Sequence, residues 1–227
     1  MLETVRRSKA YLLAIRLVIA ALGVGAWFGT QALIGHRPLS TGIGDGMHIL
    51  FAPLNQYLLE NPRAANGLLI FSSALVDILA LYILAEWLFG RSVRPLLGLT
   101  ILLGLRQVMQ GLCALPIPNN IIWHYPGFPS LMVTYGVAND FFFSAHTAIA
   151  VFAATELARL GRRWLQWLGV VIVAFEATTV LVLRVHYTMD VFTAIITALY
   201  VAHITGRISP ALDRRLAKYF FPLGENV

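Results

Sequence analysis

His186 and Asp190, in the stretch Arg184-Val185-His186-Tyr187-Thr188-Met189-Asp190, form the sharpest chemical pair in the sequence. Four residues apart on a helix, they share one face about one turn apart, so the carboxylate can reach an imidazole N–H. That contact would fix the tautomer, leave the other ring nitrogen free as nucleophile or base, and stabilise the imidazolium that follows. A second cluster, Asp140-Phe141-Phe142-Phe143-Ser144-Ala145-His146-Thr147, sets a histidine between two hydroxyl residues. His146 there could protonate a leaving oxygen and then take a proton from an acceptor. A nucleophilic histidine with an acid–base histidine suits phosphoryl transfer without a metal, which asks mainly for positioning and charge stabilisation. The plainer alternative is a pair of core histidines satisfied by their neighbours. The elements that carry them decide between the two.

Those elements are set by composition. Of 227 residues, 58% are hydrophobic and 12% charged, against ~45–50% and ~25% in ordinary globular domains. A chain so apolar has more hydrophobic surface than a soluble globule of this size can hide. It reads as an integral membrane protein. Six segments approach the ~20 residues that cross a bilayer core, at residues 10–33, 67–89, 93–115, 139–160, 164–183 and 187–205. The fold class expected is all-α: a polytopic six-transmembrane-helix bundle forming a single domain over residues 1–227. Between the first two spans, Leu50, Leu54 and Leu58 recur at helical spacing while His48, Asn55, Gln56 and Glu60 lie off that stripe. This run, containing Pro53, predicts an amphipathic helix lying at the outer interface. Residues 116–137 hold four prolines and no lysine or arginine, which predicts an irregular capping loop.

With six spans, twelve of the 17 lysines and arginines fall on the side of the termini and three on the other; Arg16 and Arg106 lie within spans. That asymmetry predicts cytoplasmic N- and C-termini and a proline-rich loop facing the periplasm, lumen or cell exterior. The net charge of +6 therefore addresses lipid headgroups, and no basic stripe with stacking aromatics marks a nucleic-acid surface. Cys113 is the only cysteine, so an intramolecular disulfide is excluded. The basic patch Arg6, Arg7 and Lys9 ahead of an apolar run without a small-residue cleavage site reads as a retained anchor.

An ionisable group inside a span costs ~2.5–3.5 kcal/mol on insertion scales and is a functional candidate for that reason. At ~1.5 Å per residue, Asp77, Arg106, His146 and Glu176 fall roughly 10–15 Å below the outer surface, with His186 and Asp190 at or just above them. Arg106 either contacts a phosphate or pairs with Asp77 or Glu176. Asp140 either binds a cationic head group or caps the fourth span, where a carboxylate is favoured anyway. Glu176 and Asp77 are expected in an ion-pair network, and Trp123, Tyr125, Trp164 and Trp167 at the membrane interfaces.

The blocks Asp140-Phe-Phe-Phe-Ser-Ala-His-Thr147 and His186-Tyr-Thr-Met-Asp-Val191 resemble the two signature blocks of the sphingomyelin synthase-related lipid phosphotransferases, a branch of the type 2 phosphatidic acid phosphatase superfamily. Arg106 followed by Leu115-Pro116-Ile117-Pro118 is similar to a third block of that branch, and the stretch from Asn55 to Pro118 resembles its plant-type phosphatidylcholine:diacylglycerol cholinephosphotransferases. The resemblance implies ping-pong transfer of a phosphocholine- or phosphoethanolamine-type head group from a phospholipid to ceramide or diacylglycerol. In it His186 attacks phosphorus, Asp190 orients it and His146 protonates the departing diacylglycerol; Arg106, Asp140 and Ser144 beside them are the residues expected to bind substrate. It implies no cofactor, no metal and no nucleic acid, only the donor and acceptor lipids and the bilayer.

The departures are informative. Ala145 stands where that branch has glycine, and Val180 where the phosphatases of the superfamily have an arginine six residues before the nucleophile. A phosphate monoester dianion needs that missing charge more than a choline or ethanolamine diester does, which argues for diester transfer. The alternative on the same scaffold is a lipid phosphate phosphatase or phospholipase C-like hydrolase, with water as acceptor; a non-enzymatic lipid-binding protein is the third reading.

Overall fold

The structure, a computed structural model, describes residues 2–36, 43–135 and 141–220. Among them it is all helix and contains no strand. Eight helices follow in order: α1 (Leu2–Gly35), α2 (Gly46–Leu50), α3 (Ala52–Glu60), α4 (Pro62–Phe89), α5 (Arg94–Leu112), α6 (Ala145–Arg159), α7 (Arg163–Val182) and α8 (Thr188–Phe220). Prolines in the first turn open α3, α4 and α5, where the missing N–H would have had no partner in any case. Five of the helices, α1, α4, α5, α7 and α8, are long and apolar enough to cross a membrane. The chain is an integral membrane protein.

The fourth expected span differs from the helix found there. Helix α6 begins only at Ala145 and has 15 residues, about 22 Å at 1.5 Å per residue against a hydrocarbon core of ~30 Å. The residues just ahead of it form a turn in which Phe143 has φ 71° and Ser144 caps the helix, its Oγ accepting from the Thr147 amide. Every residue from His146 to Ala153 is buried, because α6 packs against α4, α5, α7 and α8. A helix apolar all round belongs in the middle of a bundle, and there α6 lies. Small residues let its neighbours approach: a Cβ on Gly169 of α7 would stand 2.9 Å from the Ala154 Cβ, and one on Gly98 of α5 would fall inside the Phe152 ring. Helix α1 is peripheral, with only 11% of its most apolar window buried, and lies against α5.

The amphipathic run also behaves differently from its leucine stripe. Pro53 opens a second short helix where the sequence reading had one interrupted run. His48 and Asn55 off the stripe and Leu58 on it are buried, while Leu50 and Leu54 are exposed, as are Gln56 and Glu60. His48 and Asn55 turn inward because backbone carbonyls there await donors: Asn55 Nδ2 donates to Val182 O at the end of α7 (2.8 Å) and to Asn120 O of the proline-rich loop (3.1 Å). The exposed leucines are left for lipid.

Arginines within the apolar region close helix ends. Arg16 of α1, counted as an intramembrane charge, donates Nη1 to the carbonyls of Trp87 and Leu88 at the end of α4, groups that have no partner within the helix. Asp77 of α4, expected in an ion pair, instead accepts from Ser130 Oγ and from the amides of Leu131 (2.8 Å) and Met132 (2.9 Å). It ties the proline-rich loop to the bundle.

Candidate active site

Two turns in the left-handed region present the two histidines. Arg184 (φ 54°) lies two residues before His186, and Phe143 (φ 71°) three residues before His146. For side chains with a Cβ this conformation is uncommon and held only where surrounding contacts over-determine it. In the first turn Val185 N donates to Val180 O (2.9 Å), and Ile122 of the loop donates to Leu183 O (2.8 Å). The Arg184 guanidinium donates to Asn119 O (3.0 Å) and His48 O (3.1 Å). This arginine is a strap between backbone segments.

His186 precedes α8, so the helical spacing expected of it and Asp190 does not apply. Its Nδ1 lies 2.6 Å from the Phe141 carbonyl and 3.9 Å from Asp190 Oδ2. A carbonyl can only accept, so Nδ1 carries the proton and Nε2 of the neutral ring keeps its lone pair. The expected tautomer control is present with a different acceptor. Asp190, at the third position of α8, reaches back with Oδ2 to accept from the Tyr187 amide (2.7 Å), the N3 half of a capping box. Its Oδ1 is buried with no hydrogen-bond partner among the described residues, which leaves its charge effective on His186.

His146 is the second residue of α6 and shares a cleft with His186 and Arg106; its walls include Trp27, Trp123 and Met132, and its volume is about 30 Å³. Trp123, read from sequence as an interfacial anchor, instead sets its ring edge-on to His146 with centroids 5.9 Å apart. Arg106 is buried, lies over the Trp27 ring at 4.8 Å and donates Nη1 to Gln31 Oε1 (2.9 Å). Its positive charge and the N-terminus of α6, whose Ala145 also lines the cleft, give the cleft the character of an anion site. Ser144 is buried and caps α6 without lining the cleft. Asp140 lies outside the described residues. Glu176 is fully buried in α7 and accepts from Ser72 Oγ (2.7 Å); no cation pairs with it among the described residues, so the network expected of Asp77 and Glu176 is absent there.

The sequence reading missed Asp45. Oδ1 of this one carboxylate accepts from the amides of Met47 and His48 and from Thr188 Oγ1 (2.6 Å), while Oδ2 accepts from the Thr188 amide (2.6 Å). It thus caps α2 and α8 at once. His48 extends the clasp, donating Nε2–H to the His186 carbonyl (2.9 Å) and stacking on Tyr187 at 5.4 Å. An aspartate before Gly46 was the available signal, since Asp is a favoured N-cap; its second helix, 143 residues away, was not legible. Burial alone would raise the Asp45 carboxyl, but the bonds from Thr188 and His48 outweigh it and hold it below the usual carboxylate range. A depressed folded pKa contributes stability above the unfolded value, lost as pH falls through the folded one. Asp45→Ala is therefore expected to lower stability by ~1–2 kcal/mol at pH 7, read by denaturation in detergent. The difference from the unaltered protein should shrink as the pH falls below 4.

A family model described as AtPDCT1/2 matches residues 45–207, more than half of the chain. The chain belongs to the AtPDCT1/2 family. The match to AtPDCT1/2 runs from Asp45 past both histidines, and it leaves out α1 with Trp27 and Gln31. Among curated proteins, phosphatidylcholine:diacylglycerol cholinephosphotransferase 1 of Arabidopsis thaliana is 20% identical over 195 residues, 86% of this chain and 64% of that protein. The chain thus spans less than two thirds of that relative's length. No solved structure matches.

Proposed function

We propose that this protein is a phospholipid head-group transferase that moves a phosphocholine- or phosphoethanolamine-type group to a lipid alcohol, diacylglycerol or ceramide, through a phosphohistidine on His186. The observation that carries the reading is the Phe141 carbonyl on His186 Nδ1, in a cleft that also holds His146 and Arg106. The resemblance of the histidine blocks to the sphingomyelin synthase-related branch and the cholinephosphotransferase named above support it.

In the first half-reaction His186 Nε2 attacks phosphorus, the bond from phosphorus to the glycerol oxygen breaks, and His146 gives that oxygen its proton. In the second, the acceptor hydroxyl loses its proton to His146 and attacks phosphorus, and the bond to Nε2 breaks. Arg106 and the α6 N-terminus stabilise the charge on the phosphoryl oxygens as it builds. Asp190, 3.9 Å away, favours the positive ring formed in between. Arg106 supplies positive charge to the cleft, and the reading therefore asks for no metal.

The protein acts as one domain. Helix α6 with the turn ahead of it completes six crossings, non-helical backbone at that depth being tolerated because it is enclosed by protein. The termini lie in the cytoplasm and the cleft faces the opposite side, as the distribution of basic residues favours. The purified protein, given head-group-labelled phosphatidylcholine or phosphatidylethanolamine with diacylglycerol or ceramide, is expected to pass the label to the alcohol, equally well in EDTA. Release of the label only to water would replace transfer by hydrolysis, and restoration of an EDTA-silenced activity by a divalent ion would overturn the metal-free mechanism.

A further inference from the structure

Beside the polar cleft lies an apolar chamber of about 390 Å³ between α1, α4 and α5, walled by Gly23, Trp27, Leu84, Leu96, Leu103 and Gly104 among others. Trp27 and Met132 line both spaces, so the chamber adjoins the cleft that holds the histidines. Along α5 it reaches from Leu96 to Gln107, beside Arg106. At ~1.5 Å per residue that is about 16 Å, close to half of the ~30 Å hydrocarbon core, the depth of a single lipid leaflet. Its walls hold no charged side chain.

One polar atom at the boundary is unexplained. Trp27 is 7% exposed, and its indole Nε1–H is buried with no hydrogen-bond partner among the described residues. A buried donor left unmatched is costly, and more so where no water can reach it. Arg106 occupies the face of the same ring, so an acceptor can meet the indole only at its edge. An acceptor carried by a molecule with one end in the polar cleft and the other in the chamber would supply the missing partner.

We propose that the chamber binds an acyl chain of the diacylglycerol unit, with Trp27 donating its indole N–H to an ester carbonyl of that unit. This rests on the head-group-transfer reading and adds the lipid half of the substrate to it. Donor phospholipid and acceptor diacylglycerol then use one subsite in turn, because the alcohol released in the first half-reaction stands where the acceptor must stand in the second. Trp27 lies in α1, ahead of the stretch matched by the family model.

Two substrate ratios test the inference. With diester and diether phosphatidylcholines of equal chain length, the unaltered protein is expected to favour the diester about tenfold in kcat/KM, the worth of one buried hydrogen bond. Trp27→Phe keeps a ring for Arg106 but lacks the donor, and should bring that ratio near one. A Cβ on Gly104 meets nothing within 4 Å, so Gly104→Leu can enter the chamber, and the ratio of long-chain to short-chain donor kcat/KM should fall about tenfold, equivalent to about two methylene contacts. A protein that treats ester and ether alike, a Trp27→Phe variant that still tells them apart, or an unchanged chain-length ratio in Gly104→Leu would overturn the proposal. If either variant fails to fold, a diacyl lipid with a diazirine at the chain end decides in the unaltered protein. Adducts between Leu96 and Leu103 support the chamber, and adducts confined to outward residues such as Val108 and Leu112 refute it. Photolabelling needs no turnover, so a protein that labels in the chamber yet transfers no head group would fail the functional reading alone.

Discussion

Replacing His186 with asparagine is expected to lower head-group transfer by at least ~10³-fold, about 4 kcal/mol of transition-state stabilisation. The asparagine amide retains a donor for the Phe141 carbonyl that Nδ1 bonds at 2.6 Å, so the turn ahead of α6 stays fastened and the fold should persist. What is removed is Nε2, the atom proposed to carry the phosphoryl group. Two measurements separate chemistry from structure. Transfer from labelled phosphatidylcholine to diacylglycerol should be lost while thermal stability in detergent is retained. In the absence of acceptor, the unaltered protein should trap the label as an acid-labile adduct at His186, and the asparagine variant should trap none. Full transfer by the variant would remove the phosphohistidine from the mechanism.

How far this site could be read in advance differs from residue to residue. The two histidines and Arg106 stood out because ionisable groups in apolar runs are expensive, and the structure brings all three to one cleft. The geometry around His186, with the Phe141 carbonyl nearer to Nδ1 than Asp190, differs from the helical expectation for a local reason. Helical periodicity was assumed across Arg184-Val185-His186-Tyr187, whereas α8 starts at Thr188 and a positive φ at Arg184 turns the chain before it. Backbone acceptors are invisible to a search for side-chain motifs, so the Phe141 carbonyl had no signature of its own. Asp45 and His48 were missed as site residues for the complementary reason: their partners, Thr188 and the His186 carbonyl, are 143 and 138 residues away, and nothing in a short run announces a contact of that range. The apolar stripe of the interfacial run was correctly periodic, yet of its leucines only Leu58 faces protein, and His48 and Asn55 turn inward as well. Next to backbone carbonyls that await donors a polar side chain binds protein, and beside lipid the exposed leucines need no protein to cover them. The spans followed hydropathy closely except at α6, whose surroundings are protein on every side, so its length is not tied to the bilayer.

Glu156→Ala is expected to produce the largest loss of stability, ~3–5 kcal/mol, through an arginine the charge distribution had assigned to the lipid headgroups. Arg94, at the start of α5, is buried, and its Nη1 bonds Glu156 Oε1 of α6 while Nη2 donates to the Ala202 carbonyl of α8 (3.2 Å). Three helices are thereby joined at the end of the bundle opposite the cleft. Removing the carboxylate leaves a guanidinium enclosed by apolar side chains with one neutral acceptor, and desolvating an uncompensated cation is far costlier than losing the attraction itself. Arg159, 4.0 Å from Glu156 Oε2 and largely exposed, cannot take over, since it is itself a cation. The double replacement Arg94→Met with Glu156→Leu removes both charges and keeps comparable volume, and it should regain most of the stability lost in the single variant. Denaturation of the three proteins in one detergent gives the comparison. A Glu156→Ala protein as stable as the original would mean that Arg94 reaches water or headgroups, and a double variant no better than the single one would mean that packing rather than buried charge sets the loss. The pair thus tests at a site far from the histidines the same physics that holds Arg106 on Gln31 of α1: a buried cation is kept where a neighbouring helix supplies its partner.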